Sequence, residues 1–598
     1  MQKSHKPINK QKGAALIFMA FIIGLAVITY LLHALDPARL RLEQDKKTMQ
    51  TLNEAKQALI AWSANHPNTP GLMPYPDRNN DGNYDDRSDC FASNVNFAPN
   101  FTLGRLPLFQ NDPNCINAKN IISTGLEEDF RDGAGERLWY EVSSNLLHDY
   151  KNNGGNPNGT SPVINPSIVN NPNPIYPWFV VRDRNGAVIS SRVAAVIISP
   201  GALSGTQDRS GGIANANQYL DKIVMADGTP YQNYGYQVPA TNPIQEFIIG
   251  DDYRAVAKND PTYKDQLIEP YYYNDKLVYI TIDELMAAIE KRVLEETKHT
   301  LKTYYATNNY YPFAAGLGSS TNPNQSVQGN YRGLLPVKAP LAHTCTCTGS
   351  TKTCNCNFSV VSSISFTRNS GSFVVTGGGL NAPTGACTVS AINNKVCTCN
   401  GAGSCKRSSG AVQFSCTACG QCFATVVGTN IFNTTGTFTG STGICTNTSS
   451  QASCPTTANG TFTFGASADL PIPSMPTAGG LPTWFLANQW EDYIYYATSS
   501  NCTSSGANCT SATPQLTVGS TPNNRAILAS PGPEIISTPF AASKAAIQSS
   551  RPSCDLKDYL DTVENTNQAV ANGSQDNLYQ PTQIRGQSYN DQIVIVAP

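Results

Sequence analysis

Lys10-Gln-Lys-Gly13-Ala14-Ala-Leu-Ile-Phe18-Met-Ala-Phe-Ile-Ile-Gly-Leu-Ala-Val-Ile-Thr-Tyr-Leu-Leu-His-Ala-Leu35 is the stretch on which the reading of this 598-residue chain turns. Before it, residues 1–13 are polar and carry Lys3, Lys6, Lys10 and Lys12. From Ala14 to Leu35 no Asp, Glu, Lys or Arg occurs. As a helix those residues reach about 33 Å at 1.5 Å per residue, enough to cross a hydrocarbon core of about 30 Å. The basic flank is expected on the cytoplasmic side, which sends the C-terminal bulk outward. The run is too long for a signal-peptide core, and no small-x-small cleavage site follows it. A plain membrane anchor is the simplest reading.

Working outward, helical periodicity continues past Asp36-Pro37, where a kink or local melting is expected. Leu52, Ala55, Leu59 and Trp62 keep the three- and four-residue spacing of an amphipathic helix. A basic leader, a glycine, an uninterrupted apolar run and an amphipathic continuation together resemble the class III signal of type IV pilins and type II secretion pseudopilins. The resemblance implies a leader over 1–13, cleavage by a prepilin peptidase between Gly13 and Ala14, and methylation of Ala14. It also implies a pilin-like helix over 14–66, with 14–35 as transmembrane segment and later filament core. The partners it implies are other pilins or pseudopilins, with the chain held in the inner membrane, C-terminus periplasmic, before assembly into a pilus or pseudopilus at the cell surface. The family usually carries Glu five residues after the cleavage point to meet a neighbour's N-terminal amine; Phe18 stands there in this chain. Large tip pseudopilins and some minor pilins share that departure.

The remainder repeats itself, and internal similarity is best sought before elements are assigned. Leu52–Trp62 aligns with Leu294–Tyr304, and Gly104-Arg-Leu-Pro107 with Gly333-Leu-Leu-Pro336. Leu138–Ser143 aligns with Tyr493–Thr498, and Ala194–Gly201, ending Ser-Pro-Gly, with Arg525–Gly532, ending the same way. Tyr219-Leu-Asp221 recurs as Tyr559-Leu-Asp561, and Tyr273-Asn-Asp…Ile280 as Tyr589-Asn-Asp…Val596. The order of the landmarks is the same in both halves. The expected fold is α+β: a long N-terminal pilin-like helix, then two tandem helix-plus-antiparallel-sheet modules over 67–281 and 282–598. The second module's helix, near 282–307, carries Glu284, Glu290, Lys291 and Arg292 and cannot span a membrane.

Module two also holds an insertion over 337–479, with 13 of the chain's 18 cysteines between Cys345 and Cys454. It is rich in Ser, Thr, Gly and Asn and poor in large apolar residues, so cross-links are expected in place of a core. Behind an export signal the cysteines read as disulfides. Cys416-x-x-Cys419-x-x-Cys422 also has the spacing of a zinc or iron–sulfur ligand set. Outside the insertion, Cys90 with Cys115 and Cys502 with Cys509 lie close enough in sequence to pair, and Cys554 would need a partner in the insertion.

Asp77-Arg-Asn79-Asn-Asp81-Gly82-Asn83-Tyr-Asp85 has oxygen side chains at the first, third, fifth and ninth positions and Gly at the sixth. That order follows the start of an EF-hand-type loop and makes Asp77, Asn79, Asp81 and Asp85 candidate ligands for calcium (Ca2+), although Ser88 replaces the usual closing Glu. An ordinary Asp/Asn/Gly turn fits the same residues. Charged residues make up 14% of the chain and the net charge is -2, so no basic stripe exists to track a phosphate backbone, and nucleic acid is not an expected partner. No catalytic residue is assigned: none of the histidines sits in a recognised nucleophile, zinc or phosphate-loop motif, and the chain is read as a non-enzyme. The aromatic clusters Tyr271–Tyr273, Tyr304-Tyr305, Tyr310-Tyr311 and Tyr493–Tyr496 are expected in the core, with glycan stacking the other use. Three functions follow: a structural or adhesive minor pilin at a filament tip, presenting a surface to a cell-surface or glycan ligand; a pseudopilin that primes assembly or contacts cargo; and a membrane-anchored extracytoplasmic enzyme.

Overall fold

The computed structural model describes residues 12–34, 37–77, 86–88, 102–109, 125–147, 162–172, 177–183, 186–203, 207–210, 216–225, 230–234, 246–249, 267–269, 273–315, 317, 331–337, the strands within 344–463, 480–503, 509, 515–535, 548–549, 551–553, 555–561, 577–585 and 589–597. The fold is α+β. Two compact units emerge: Met1–Leu59 with Pro74–Ser144 and Pro177–Thr281, and Ile60–Met73 with Asn145–Tyr176 and Ile282–Pro598.

Helix α1 covers Lys12–Ala34 and helix α2 covers Pro37–Ala64; residues 35–36, beside the expected kink at Asp36-Pro37, lie outside the described residues. Side chains of α1 are described over 17–29, and its large apolar groups are exposed on successive residues, from Ile17 at 72% and Phe18 at 71% to Ile28 at 58%. Among the described residues no helix is long and apolar enough to cross a membrane.

In the first unit, strands β1 (Leu103–Arg105), β2 (Trp139–Val142), β4 (Val188–Ser199) and β6 (Lys276–Thr281) pair in that spatial order, all antiparallel. The N-terminal part of β4 also pairs with β3 (Phe179–Arg182), which runs parallel to β5 (Glu246–Ile248), so this sheet is mixed where an antiparallel one was expected. Val193–Ile198 is apolar at every position and fully buried, because both faces of β4 are covered. One face packs Trp139, Val196, Ile198, Leu277, Phe179 and Phe247 into a single cluster. Helix α2 contributes Leu52, Ala55 and Leu59, all fully buried. It is tied to the unit by the Lys276–Asp45 ion pair and by the Gly133 N–H, which donates to Thr48 Oγ1.

In the second unit, β7 (Arg332–Leu334), β8 (Tyr495–Thr498), β9 (Ala526–Ser530) and β10 (Gln592–Ala597) pair antiparallel in the same spatial order. Helix α3 (Ile282–Asn308) buries Ile282, Leu285, Ile289, Val293 and Leu301, the one-sided spacing of a helix lying on a sheet. Gln592 Nε2 donates to the Ala287 carbonyl. In the alignment of the halves, that contact falls where Lys276 meets Asp45.

The ladders correspond position by position. Gly104 stands opposite Tyr140, Tyr140 opposite Ile197, and Ile197 opposite Val278; Gly333 stands opposite Tyr496, Tyr496 opposite Leu528, and Leu528 opposite Val594. The aromatic strand therefore aligns one residue away from the sequence match, with Trp139 on Tyr495 rather than on Ile494. Consecutive aromatics at Tyr495 and Tyr496 offer two registers to a sequence comparison, but a one-residue slip would exchange the two faces of the strand. Trp139 and Tyr495 are each core residues of their own sheet.

Between β7 and β8 the chain forms a 12-stranded sheet from strands lying between Thr344 and Thr463. An added Cβ at Gly133 would collide with the Gln44 carbonyl of α2. Gly133→Ala is therefore expected to lower the stability of the first unit by about 2 kcal/mol, measured as a fall in its denaturation midpoint, with α3 and its sheet unaffected.

Candidate functional site

The sharpest convergence of polar side chains occurs twice, once in each unit, behind the Ser-Pro-Gly turn. In the first unit, Arg209 donates from Nη1 to the Gly201 carbonyl (2.9 Å), from Nε to the Gln218 carbonyl (3.2 Å) and from Nη2 to Gln207 Oε1 (2.7 Å). Its guanidinium lies over the Tyr219 ring, 4.8 Å from the centroid. In the second unit, Arg551 donates from Nη1 to the Gly532 carbonyl, from Nε to the Asp558 carbonyl and from Nη2 to Gln548 Oε1, with its guanidinium over the Tyr559 ring.

The glutamines carry the pattern onward. Gln207 Nε2 donates to Asp221 Oδ1 and Gln548 Nε2 to Asp561 Oδ1, each at 2.9 Å. Asp221 takes the Asn274 N–H on its other oxygen and gives its own N–H to Asp275; Asp561 does the same with Asn590 and Asp591. Asn274 Nδ2 closes onto the Ala202 carbonyl and Asn590 Nδ2 onto that of Pro533. Gly201 and Gly532 sit at φ +60° and +63°, and an added Cβ there would press on the asparagine amide, so glycine is required at both turns. Each knot joins three segments distant in sequence: the turn after β4 or β9, the Tyr-Leu-Asp turn, and the Asn-Asp turn that feeds the last strand.

The arrangement positions backbone rather than substrate. Each of these arginine and aspartate side chains is engaged in internal hydrogen bonds. Burial, and next the charge of Asp221, push the Asp275 carboxyl well above the ordinary carboxylate range. Gln207 and Arg209 are not marked out by the sequence, because the corresponding pair in the second unit, Gln548-Ser-Ser-Arg551, has one residue more between them. A glutamine and an arginine ahead of Tyr-Leu-Asp in both halves was the available signal.

The residues singled out from sequence are placed as follows. Gly13 and Ala14 lie in the first turn of α1. Asp77 is buried, bridges Arg105 through the backbone and accepts the Asp86 N–H at 2.8 Å; Asp86, at φ +71°, pairs with Arg137. Asn79, Asp81 and Asp85 lie outside the described residues, as do Cys90 and Cys115. Among the described residues no group of three or more His, Cys, Asp or Glu side chains could hold a metal ion. Cys502 and Cys509 are bonded to each other. Tyr273, Tyr304, Tyr310, Tyr311, Tyr493, Tyr495 and Tyr496 are buried. Elsewhere in the first unit Glu127, Glu128 and Asp129 are exposed, with Asp129 paired to Arg131 and Arg137.

Glu141 stands apart. It lies on β2 at the register position that Ala497 fills in the other sheet. The side chain is fully buried, and among the described residues neither carboxylate oxygen has a hydrogen-bond partner; desolvation pushes the carboxyl well above its usual range. An acid whose folded pKa is raised keeps its proton while the unfolded chain releases it. Stability is then fully present below about pH 4 and is lost as pH rises toward the folded value. Glu141→Gln is expected to flatten that decline, read from denaturation midpoints at several pH values; a parallel shift of the whole curve would contradict it. Arg209→Met and Arg551→Met are each expected to destabilise their own unit by about 3 kcal/mol, read from the same transitions. Protein-family models, curated proteins and solved structures were all compared with the chain, and none matches it.

Proposed function

We propose that this chain is a large minor pilin-like subunit, built through α1 into a type IV pilus-type filament, and that its two sheet-bearing halves are tandem duplicates of one pilin-like module. The observation that carries the reading is α1 itself. Ile17, Phe18, Met19, Phe21, Ile22, Ile23, Leu25, Val27 and Ile28 are each at least half exposed, and nine apolar residues within twelve positions occupy every side of a helix. A helix apolar all round needs cover. Bilayer lipid supplies that cover before assembly and neighbouring helices supply it afterwards, while the leader ending at Gly13 is removed.

Duplication is supported by the matching ladders and by the knot of side chains repeated atom for atom. The second copy begins with α3, which has a charged outer face in place of an apolar rod, so only the first copy carries an assembly element. Phe18 leaves no carboxylate to meet the amine of a neighbouring subunit, which suits a subunit at a filament end. Calcium in the loop that starts at Asp77 belongs to the same proposal: the Asp77 carboxylate already closes that loop by accepting the Asp86 N–H.

Protein isolated from its native host is expected to begin at methylated Ala14 and to co-sediment with filaments. Gly13→Val is expected to leave most of the chain with its leader attached, seen by mass spectrometry. Native protein that begins at Met1 and never travels with filaments would overturn the reading.

A further inference from the structure

In the cysteine-rich sheet, backbone pairing sets cysteines directly across from one another. Cys345 of strand Thr344–Thr348 stands opposite Cys356 of strand Thr353–Phe358, and Cys347 stands opposite Cys354. Cys387 of strand Leu380–Val389 is opposite Cys399 of strand Val396–Arg407. Cys416 of strand Val412–Cys416 is opposite Cys422 of strand Cys422–Val426. All four are antiparallel pairs. Directly opposed residues in such ladders have Cα atoms about 4.5–5.5 Å apart, inside the window of roughly 4.4–6.8 Å that a disulfide spans. Cys397 and Cys405 differ: they stand opposite Val375, Val389 and Phe414.

We propose that the insertion is held in register by four cross-strand disulfides, Cys345–Cys356, Cys347–Cys354, Cys387–Cys399 and Cys416–Cys422. The strands concerned are polar and glycine-containing, with sequences such as Thr-Cys-Thr-Cys-Thr and Thr-Cys-Asn-Cys-Asn-Phe. An alternation of Cys with Thr or Asn gives weak preference for one face, so hydrophobic burial cannot fix which residue faces which. A covalent rung does. Cys345 and Cys347 are two apart, as are Cys354 and Cys356, so both rungs fall on one face of the sheet. Slipping that pair of strands by two residues would leave at most one of the two rungs possible. The closed loops are short, so each bridge removes only modest entropy from the unfolded chain; its effect is to select one pairing.

Each rung forms when two thiols lose two protons and two electrons. The acceptor is the disulfide of an extracytoplasmic thiol–disulfide oxidoreductase, which is reduced to its dithiol. The inference thus rests on the export reading above.

The test is peptide mapping of the full-length chain from its native host, alkylated without reduction and fragmented by electron transfer to separate neighbouring cysteines. The expected result is the four named pairs and no alkylation at those eight positions. Cys345→Ser is expected to expose a single new thiol at Cys356, with Cys347 and Cys354 still blocked. Oxidised cysteines joined in other pairs would overturn the register assignment while leaving export intact. Eight alkylated thiols, or thiols retained on zinc or iron measured in the same preparation, would overturn both.

Discussion

Each of the two helix-backed sheets depends on one guanidinium, that of Arg209, which is largely enclosed, and that of Arg551, which is buried. The chain must bring a turn after the third strand, a distant Tyr-Leu-Asp turn and the entry to the last strand to one point, and all three arrive with backbone groups that need partners. Arg209 and Arg551 meet carbonyls of the first two segments. The glutamine beside each passes the connection to an aspartate, and that aspartate accepts the backbone N–H at the start of the last strand. Leaving such groups unmet in a dry interior costs about 1–3 kcal/mol each. The knot therefore fixes where the final strand enters and, with it, the register of the sheet on its helix.

The two units use different chemistry immediately beneath that knot. In the first, Asp132 accepts from the Ser199 hydroxyl and the Gly201 N–H. In the second, Glu290 projects from α3 to accept from the Ser530 hydroxyl and pairs with Arg585. The serine position is kept and the acid comes from a different element. Burial raises the Glu290 carboxyl while Arg585 opposes the shift, whereas Glu141 has no such counterweight.

Much of this was legible in the sequence because apolar runs closed by Ser-Pro-Gly, and Asn-Asp turns before short strands, are local signals. The run 194–199, closed by that turn, reads as a short buried strand without any knowledge of its neighbours. The register of the aromatic strand was not legible, since Tyr495 and Tyr496 are chemically interchangeable until a partner strand chooses between them. Nor were the glutamine–arginine pairs, whose spacing differs by one residue between the two units. Glu141 escaped notice for a plainer reason: nothing local to a glutamate says that the space around it is dry. The parallel pairing of β3 with β5 likewise depends on a crossover that no short motif announces.

The large insertion leaves the second sheet after Leu334 and the chain returns at Tyr495, directly across the ladder from its point of departure. Seen from the scaffold, more than a hundred residues take the place of an ordinary connection between two neighbouring strands. Closing a longer excursion adds entropy only logarithmically, about 0.6 kcal/mol per doubling. Such a mounting point therefore places little thermodynamic limit on the length of what it carries, and the inserted sheet can be shortened or replaced with little cost to the frame that holds it.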